Sequence, residues 1–227
     1  MIVTILALML TVAAYALSRW ISYRSRSPLA APVLLSTLLV MAVLRLSGAG
    51  LESYQGAEDT IGWWLGPATV SLAVPLYRYR QILIENAVAV FAAIAGGTLV
   101  AMLSAIALAR MLGLAPSLQG ALGLKTATAP VAIALAPTLQ ASGPIVAGMV
   151  VASALFGTIA GPALLSRLGI RQALARGLAL GTISSGQGVA QAFGEGKLCG
   201  ASASLAMALA ALAVAAFTPV LSGLLKF

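Results

Sequence analysis

Lys125-Thr126-Ala127-Thr128-Ala129-Pro130, running on to Pro137, and Gly181-Thr182-Ile183-Ser184-Ser185-Gly186-Gln187-Gly188 are the two stretches on which the fold turns. Each interrupts an otherwise apolar run with hydroxyls, glycines or prolines. In hydrocarbon an opened backbone must find partners within the protein or a water-filled cavity, so irregular backbone at membrane depth marks a site.

The surrounding composition supplies the membrane. Hydrophobic residues make up 61% of the 227 and charged residues 8%. Mean hydropathy is +1.04, whereas an ordinary soluble domain carries about 25% charged residues. The fold class is therefore an all-α integral membrane protein, a polytopic helical bundle with broken or re-entrant helices. The net charge of +8 comes from 13 Lys and Arg against 5 Asp and Glu. These cations are scattered singly between apolar runs, which suits anchoring to anionic lipid and not a nucleic-acid face. One cysteine, Cys199, excludes an internal disulfide, and the lack of histidine argues against a His/Cys metal site. No cofactor is expected. Met1 to Leu17 has no basic residues before it and is followed by Arg19 and Arg24, so it reads as a retained span and not a cleaved signal.

Apolar runs long enough for a bilayer are Ile2 to Leu17, Leu29 to Leu46, Ile61 to Tyr77, Ile82 to Leu112, Pro144 to Leu168 and Leu198 to Leu225. Pro116 to Leu139 and Leu174 to Phe193 are the interrupted segments. Arg19, Arg24 and Arg26, then Arg78 and Arg80, then Arg167, Arg171 and Arg176 lie between runs. An N-out start places all eight inside only if Pro116 to Leu139 enters and returns on one side, or crosses twice. A re-entrant hairpin is the preferred reading there. Leu174 to Phe193 stays open between re-entry and crossing, and Lys226 is too weak a signal to decide. Pro67 to Pro75 echoes Pro130 to Pro137, which suggests pseudo-repeats over about 29–112 and 116–225 of a single membrane domain, 1–227.

Lys125 is the sharpest single residue: an ammonium at membrane depth is costly unless it faces a polar cavity or meets an anion. With the hydroxyls of Thr126 and Thr128 it offers charge and donors to a carboxylate; the bland alternative is a lysine that snorkels to headgroups. Ser184, Ser185 and Gln187, set among glycines, form a second polar lip, against the alternative of small-residue helix packing. The candidate substrate-binding set is Lys125, Thr126, Thr128, Pro130, Thr182, Ser184, Ser185 and Gln187. No enzyme activity is expected. A Ser/Lys dyad would need Ser184 or Ser185 within hydrogen-bond reach of Lys125 or Lys197.

The order of motifs resembles the LrgB/CidB family of bacterial inner-membrane proteins, which includes the membrane domain of the plant plastid glycolate/glycerate translocator. Leu65-Gly66-Pro67-Ala68-Thr69-Val70 with Leu72-Ala73-Val74-Pro75-Leu76-Tyr77 is similar to its PA-V-LA-PLY segment. Lys125 to Pro130 resembles its K-S-V-T-T-P, Ala175 to Thr182 its ARGLA-GT, and Ala201 with Ser204-Leu205-Ala206-Met207 its GA-SSLAM. Where the family reads S-H-A-x-G-T-A-R, this chain carries Ser185, Val189 and Gln191 in place of the His, Thr and Arg. The resemblance implies a multi-pass protein of the bacterial inner membrane that carries a small organic anion such as glycolate, glycerate or pyruvate. The competing expectation is an antiholin-like regulator of murein hydrolases and autolysis, working with a holin-like membrane protein of LrgA/CidA type. A homo-oligomer, specifically a dimer, is also expected.

Overall fold

A computed structural model describes residues 2–25, 32–71 and 73–225. Arg26, the first residues of the run from Leu29, Leu72 and Lys226 lie outside the described residues. Every regular element among the described residues is a helix, and the chain divides into two compact units, 1–73 and 74–227.

The first unit holds α1 (Ile2–Ser25), α2 (Pro32–Leu46) and α3 (Gln55–Ser71), with a 3-10 turn at Leu51–Tyr54 before α3. α1 packs on α2 and α3. Thr11 Oγ1 and Tyr54 Oη share a 2.6 Å hydrogen bond that ties α1 to the 3-10 turn. Trp63 and Trp64, both exposed, meet edge to face at 5.3 Å. Trp20 is exposed near the end of α1 with the Arg24 guanidinium 5.6 Å over its ring.

The second unit begins with α4 (Ala73–Arg78) and α5 (Arg80–Glu85), then α6 (Ala87–Met111). The apolar run from Ile82 to Leu112 is thus not one helix. Asn86 leaves the helical region, and its side-chain amide donates to the Ile82 carbonyl at 2.8 Å, closing α5 before α6 starts. Asn is a poor residue for a helix interior, a signal that hydropathy does not carry. After α6 come α7 (Pro116–Gly123), α8 (Ala129–Leu135) with a 3-10 turn at Ala136–Leu139, α9 (Gly143–Arg167), α10 (Ala173–Glu195) and α11 (Lys197–Leu225). Among the described residues, four helices are long and apolar enough to cross a bilayer: Val3–Ser25, Ala87–Met111, Gly143–Arg167 and Lys197–Gly223. α2 covers the described part of the run that suggested it, from Pro32 to Leu46.

Both interrupted segments turn back on themselves. In the first, a Cβ on Gly120 of α7 would strike the Leu139 carbonyl, so the end of the segment lies against its beginning. The second is formally one helix, yet Arg176 near its start and Glu195 at its end form an ion pair at 2.6 Å. A straight helix would hold those residues about 28 Å apart at 1.5 Å per residue. Ser185 makes the reversal, with φ 49° and ψ −138°. A Cβ on Gly188 would collide with the Leu180 carbonyl and come within 2.7 Å of Ser184 Cβ, as expected of two arms pressed together just beyond the bend.

The packing fixes which way each hairpin points. The first starts where α6 ends and buries Ala121, Leu124, Ala132 and Leu139 with Met102 of α6, Val146 and Val150 of α9, and Val214 and Leu221 of α11. Ser222 Oγ, late in α11, donates to the Thr138 carbonyl at 3.0 Å. The second hairpin starts where α9 ends; its Leu178 packs with Val90 and Ile94, early in α6, and with Ala206 and Ala210 of α11. Gly177 and Gly181 are crossed by α11 at Cys199 to Ser202 and at Ala203, where a Cβ would strike a backbone carbonyl. The two hairpins therefore invade the three-helix frame α6, α9 and α11 from opposite ends.

Their bases are built alike. Gly113 (φ 66°) ends α6 and Gly169 (φ 74°) ends α9, conformations that glycine adopts without a Cβ penalty. Gln119 Nε2 then donates back to the Leu114 carbonyl at 2.7 Å, and Arg176 Nη1 donates back to the Ile170 carbonyl at 2.9 Å. The next residues, Gly120 and Gly177, are the two close approaches already described. Pro162 sits inside α9 and Pro219 inside α11. This shorter repetition, 116–167 against 173–225, is the one visible within the second unit. The echoing prolines differ in setting, Pro67 inside α3 and Pro130 in the first turn of α8.

Candidate functional site

The tips of the hairpins are the two stretches singled out in the sequence. An α7 of eight residues rises about 12 Å and the twelve residues from Ala173 to Ser184 about 18 Å. Against a hydrocarbon core of about 30 Å, both tips fall near mid-depth if the bases lie at opposite surfaces.

At the first tip Lys125 lies in the turn after α7, half-buried, and makes no ion pair among the described residues. It lines a cavity of about 280 Å³ with Ser104 and Leu108 of α6, Leu112 and Leu114 just beyond its end, and Leu122 of α7. Thr126 is 2% exposed and its Oγ1 has no hydrogen-bond partner. Thr128 is the extended residue before α8, and its carbonyl accepts from Ala132 at 2.8 Å while its side chain caps nothing. Pro130 is exposed in the first turn of α8, where a missing N–H costs nothing.

At the second tip Thr182 is buried and lines a second cavity, about 320 Å³, with Ala93 and Gly97 of α6 and Ala175, Leu178, Ala179 and Ile183 of α10. Ser184 is fully buried, its Oγ without a partner, and lies against Gly157 of α9, where a Cβ would strike it. Gln187 Oε1 is also enclosed and unpartnered. Buried polar groups are paired in the large majority of cases, so each exception asks for an explanation. Thr98 Oγ1 on α6 belongs to the same set, and sequence reasoning passed over it.

The expectation that glycines open the backbone at this tip is corrected. The unusual conformation falls on Ser185, a non-glycine, while Gly181 and Gly188 are there for close approach to Ala203 and Leu180. No hydrogen bond or ion pair among the described residues joins the two tips. They share neighbours instead: α7 packs on α6 and α9, α8 on α9 and α11, and α10 on α6, α9 and α11.

The residues most tightly engaged were not in the candidate set. Arg176 donates to both Glu195 oxygens (2.6 and 3.0 Å), to Ser166 Oγ at 3.2 Å, and to the Ile170 and Pro162 carbonyls at 2.9 and 3.2 Å. It closes the base of the second hairpin and satisfies carbonyls near the end of α9. A signal did exist in the sequence, since Arg176 and Glu195 stand nine residues before and ten after Ser185, the spacing two equal arms require.

Paired hairpins entering a helical frame from opposite ends, in a chain this apolar, define a multi-pass membrane protein with two broken segments. A model of the LrgB-like family matches residues 11–224, and the chain belongs to that family. It is 32% identical to the uncharacterized protein YxaC of Bacillus subtilis (strain 168), over 96% of this chain and 94% of that one. It is 30% identical to the uncharacterized protein YwbG of the same organism, over 97% and 98%. No solved structure matches.

Proposed function

We propose that this chain is a secondary carrier of small organic anions of the monocarboxylate kind, glycolate, glycerate or pyruvate among them, in the bacterial inner membrane. The observation that carries the reading is Lys125: a half-buried ammonium without a carboxylate partner among the described residues, in the turn between two half-helices, lining a cavity of about 280 Å³. A carboxylate there would gain a charge-assisted hydrogen bond, and the hydroxyl of Ser104 lies on the same wall. The apolar remainder, Leu108, Leu112, Leu114 and Leu122, suits the carbon end of a small acid and offers nothing to a second charge. Unpartnered Thr126 Oγ1 and Ser184 Oγ are the hydroxyls held in reserve at the two tips. A homodimer belongs to the same proposal, whereas a holin-like partner of LrgA/CidA type belongs to the antiholin-like alternative.

The test is counterflow of labelled glycolate, glycerate and pyruvate into liposomes holding the purified protein. Native protein should give saturable uptake, and Lys125→Ala should lose at least tenfold while Lys125→Arg keeps part of it. Unchanged uptake by Lys125→Ala would overturn the site. No saturable flux from native protein would overturn the carrier reading in favour of the antiholin-like one.

A further inference from the structure

The two cavities are a pair, and their placement along α6 says more than either does alone. Ser104, Ala105, Leu108, Ala109 and Leu112 line the first, in the half of α6 that leads to the base of the first hairpin. Ala93 and Gly97 line the second, in the other half, against the arm of α10 that starts at the opposite end. At about 100° per residue these α6 positions fall on one side of the helix. Thr98 and Ala101, both buried, lie on that side between the two cavities. The fully buried Thr98 hydroxyl has no partner, although a threonine in a helix can bond the carbonyl four residues back, as Thr158 and Thr218 do here.

We propose that α6 is the shared wall of two half-grooves that open on opposite membrane faces, one ending at Lys125 and the other at Thr182 and Ile183, with Thr98 as the polar step between them. A small carboxylate held at Lys125 communicates with one face at the end where α6 stops, and with the other along Ala179 and Ala175 at the end where α6 starts. Lys125 has no cationic counterpart at the second tip, where the cavity offers only the Thr182 hydroxyl. The path is therefore asymmetric, with the charge of the anion met only at the first tip. This rests on the carrier reading for the identity of the solute, but the two-sided opening stands on the geometry alone.

The experiment is sided thiol labelling of the whole protein in right-side-out and inverted vesicles. Cys199→Ala removes the native thiol, which is buried. Into that background go Ala105→Cys in the first groove, Ala179→Cys in the second, and Leu103→Cys, an exposed α6 residue on the side of the helix away from both grooves. A charged, impermeant methanethiosulfonate should modify Ala105→Cys from one face and Ala179→Cys from the other, and leave Leu103→Cys unmodified because a thiol in lipid does not ionise. Glycolate should slow labelling of Ala105→Cys. Same-sided labelling, or no labelling of either groove position, would overturn the proposal and point to grooves filled by lipid. Ser104→Cys and Ala93→Cys repeat the comparison should either first variant fail to fold. Thr98→Val, which keeps the shape and deletes the hydroxyl, should cut flux at least tenfold with both labelling patterns intact; undiminished flux would remove Thr98 from the path. Opposite-sided labelling without carboxylate flux would sink the substrate and keep the pathway, so the two readings fail separately.

Discussion

Arg176→Ala is the perturbation that most directly questions the fold, because the reversal of α10 stands on the contact between Arg176 and Glu195. The substitution deletes five hydrogen bonds, two to Glu195 and one each to Ser166 Oγ and the carbonyls of Ile170 and Pro162. It leaves the Glu195 carboxylate with only the Cys199 thiol, 4.0 Å away. The side chains of the pair are 13% and 20% exposed. Breaking a buried pair costs about 3–5 kcal/mol and an exposed pair contributes roughly 0–1. At this exposure the expected loss is about 2–4 kcal/mol, or on the order of 5–15 °C in Tm for a chain of this size. Glu195→Gln keeps an acceptor and all three contacts of Arg176 outside the pair, and should cost about 1–2 kcal/mol. The assay is thermal unfolding of detergent-solubilised protein for both single variants and the double variant. A coupling energy above about 1 kcal/mol is expected between two residues that touch. An Arg176→Ala protein that melts with the native one, or additive single effects, would mean that the ends of α10 do not meet, and the hairpin would have to be abandoned.

Three further outcomes follow from the same geometry. Gly177→Ala drives a Cβ into the Cys199 carbonyl and Ser202 Oγ and should cost about 1–3 kcal/mol, whereas Gly148→Ala in α9, with open space around it, should be neutral or stabilise by up to about 1 kcal/mol; equal melting shifts would refute the packing of α10 on α11. Ser185→Gly relieves a conformation that holds roughly 1–3 kcal/mol of strain, against about 0.5–1 lost to glycine entropy, so a small rise in Tm is expected and a fall would argue against the bend at that residue. Gly120→Val, aimed at the Leu139 backbone, should abolish folded protein in size-exclusion profiles of detergent extracts; a normal profile would place the two ends of the first hairpin apart.

Much of this was legible because hydrophobicity and helix breaking are local. Composition alone assigns the bilayer as solvent, and the six residues from Lys125 to Pro130 and the eight from Gly181 to Gly188 announce interrupted helices without any knowledge of neighbours. The grouping of Arg78 and Arg80 with Arg167, Arg171 and Arg176 already asked Pro116 to Leu139 to return to its own side, and the structure folds it so. The second segment was open because its strongest evidence, an Arg paired with a Glu across a bend, joins residues nineteen apart that no helical periodicity relates. Hydropathy likewise carries the fourth run straight through Asn86, whose backbone leaves the helical region while both its N–H and its side-chain amide bond the Ile82 carbonyl.

What the amino-acid sequence determined by itself was the solvent, four of the six runs proposed to cross it, and the two places where a helix would have to open. Each depends on transfer energies and backbone preferences that a short segment carries wherever it sits. Only the tertiary structure decided that the hairpins enter from opposite ends, that α6 lies along a cavity on each side of its midpoint, and that Ser185 and not a glycine makes the bend. Those outcomes depend on which backbone can approach which, Gly177 on Cys199 and Gly120 on Leu139, and close approach is a property of pairs that one strand of letters does not express.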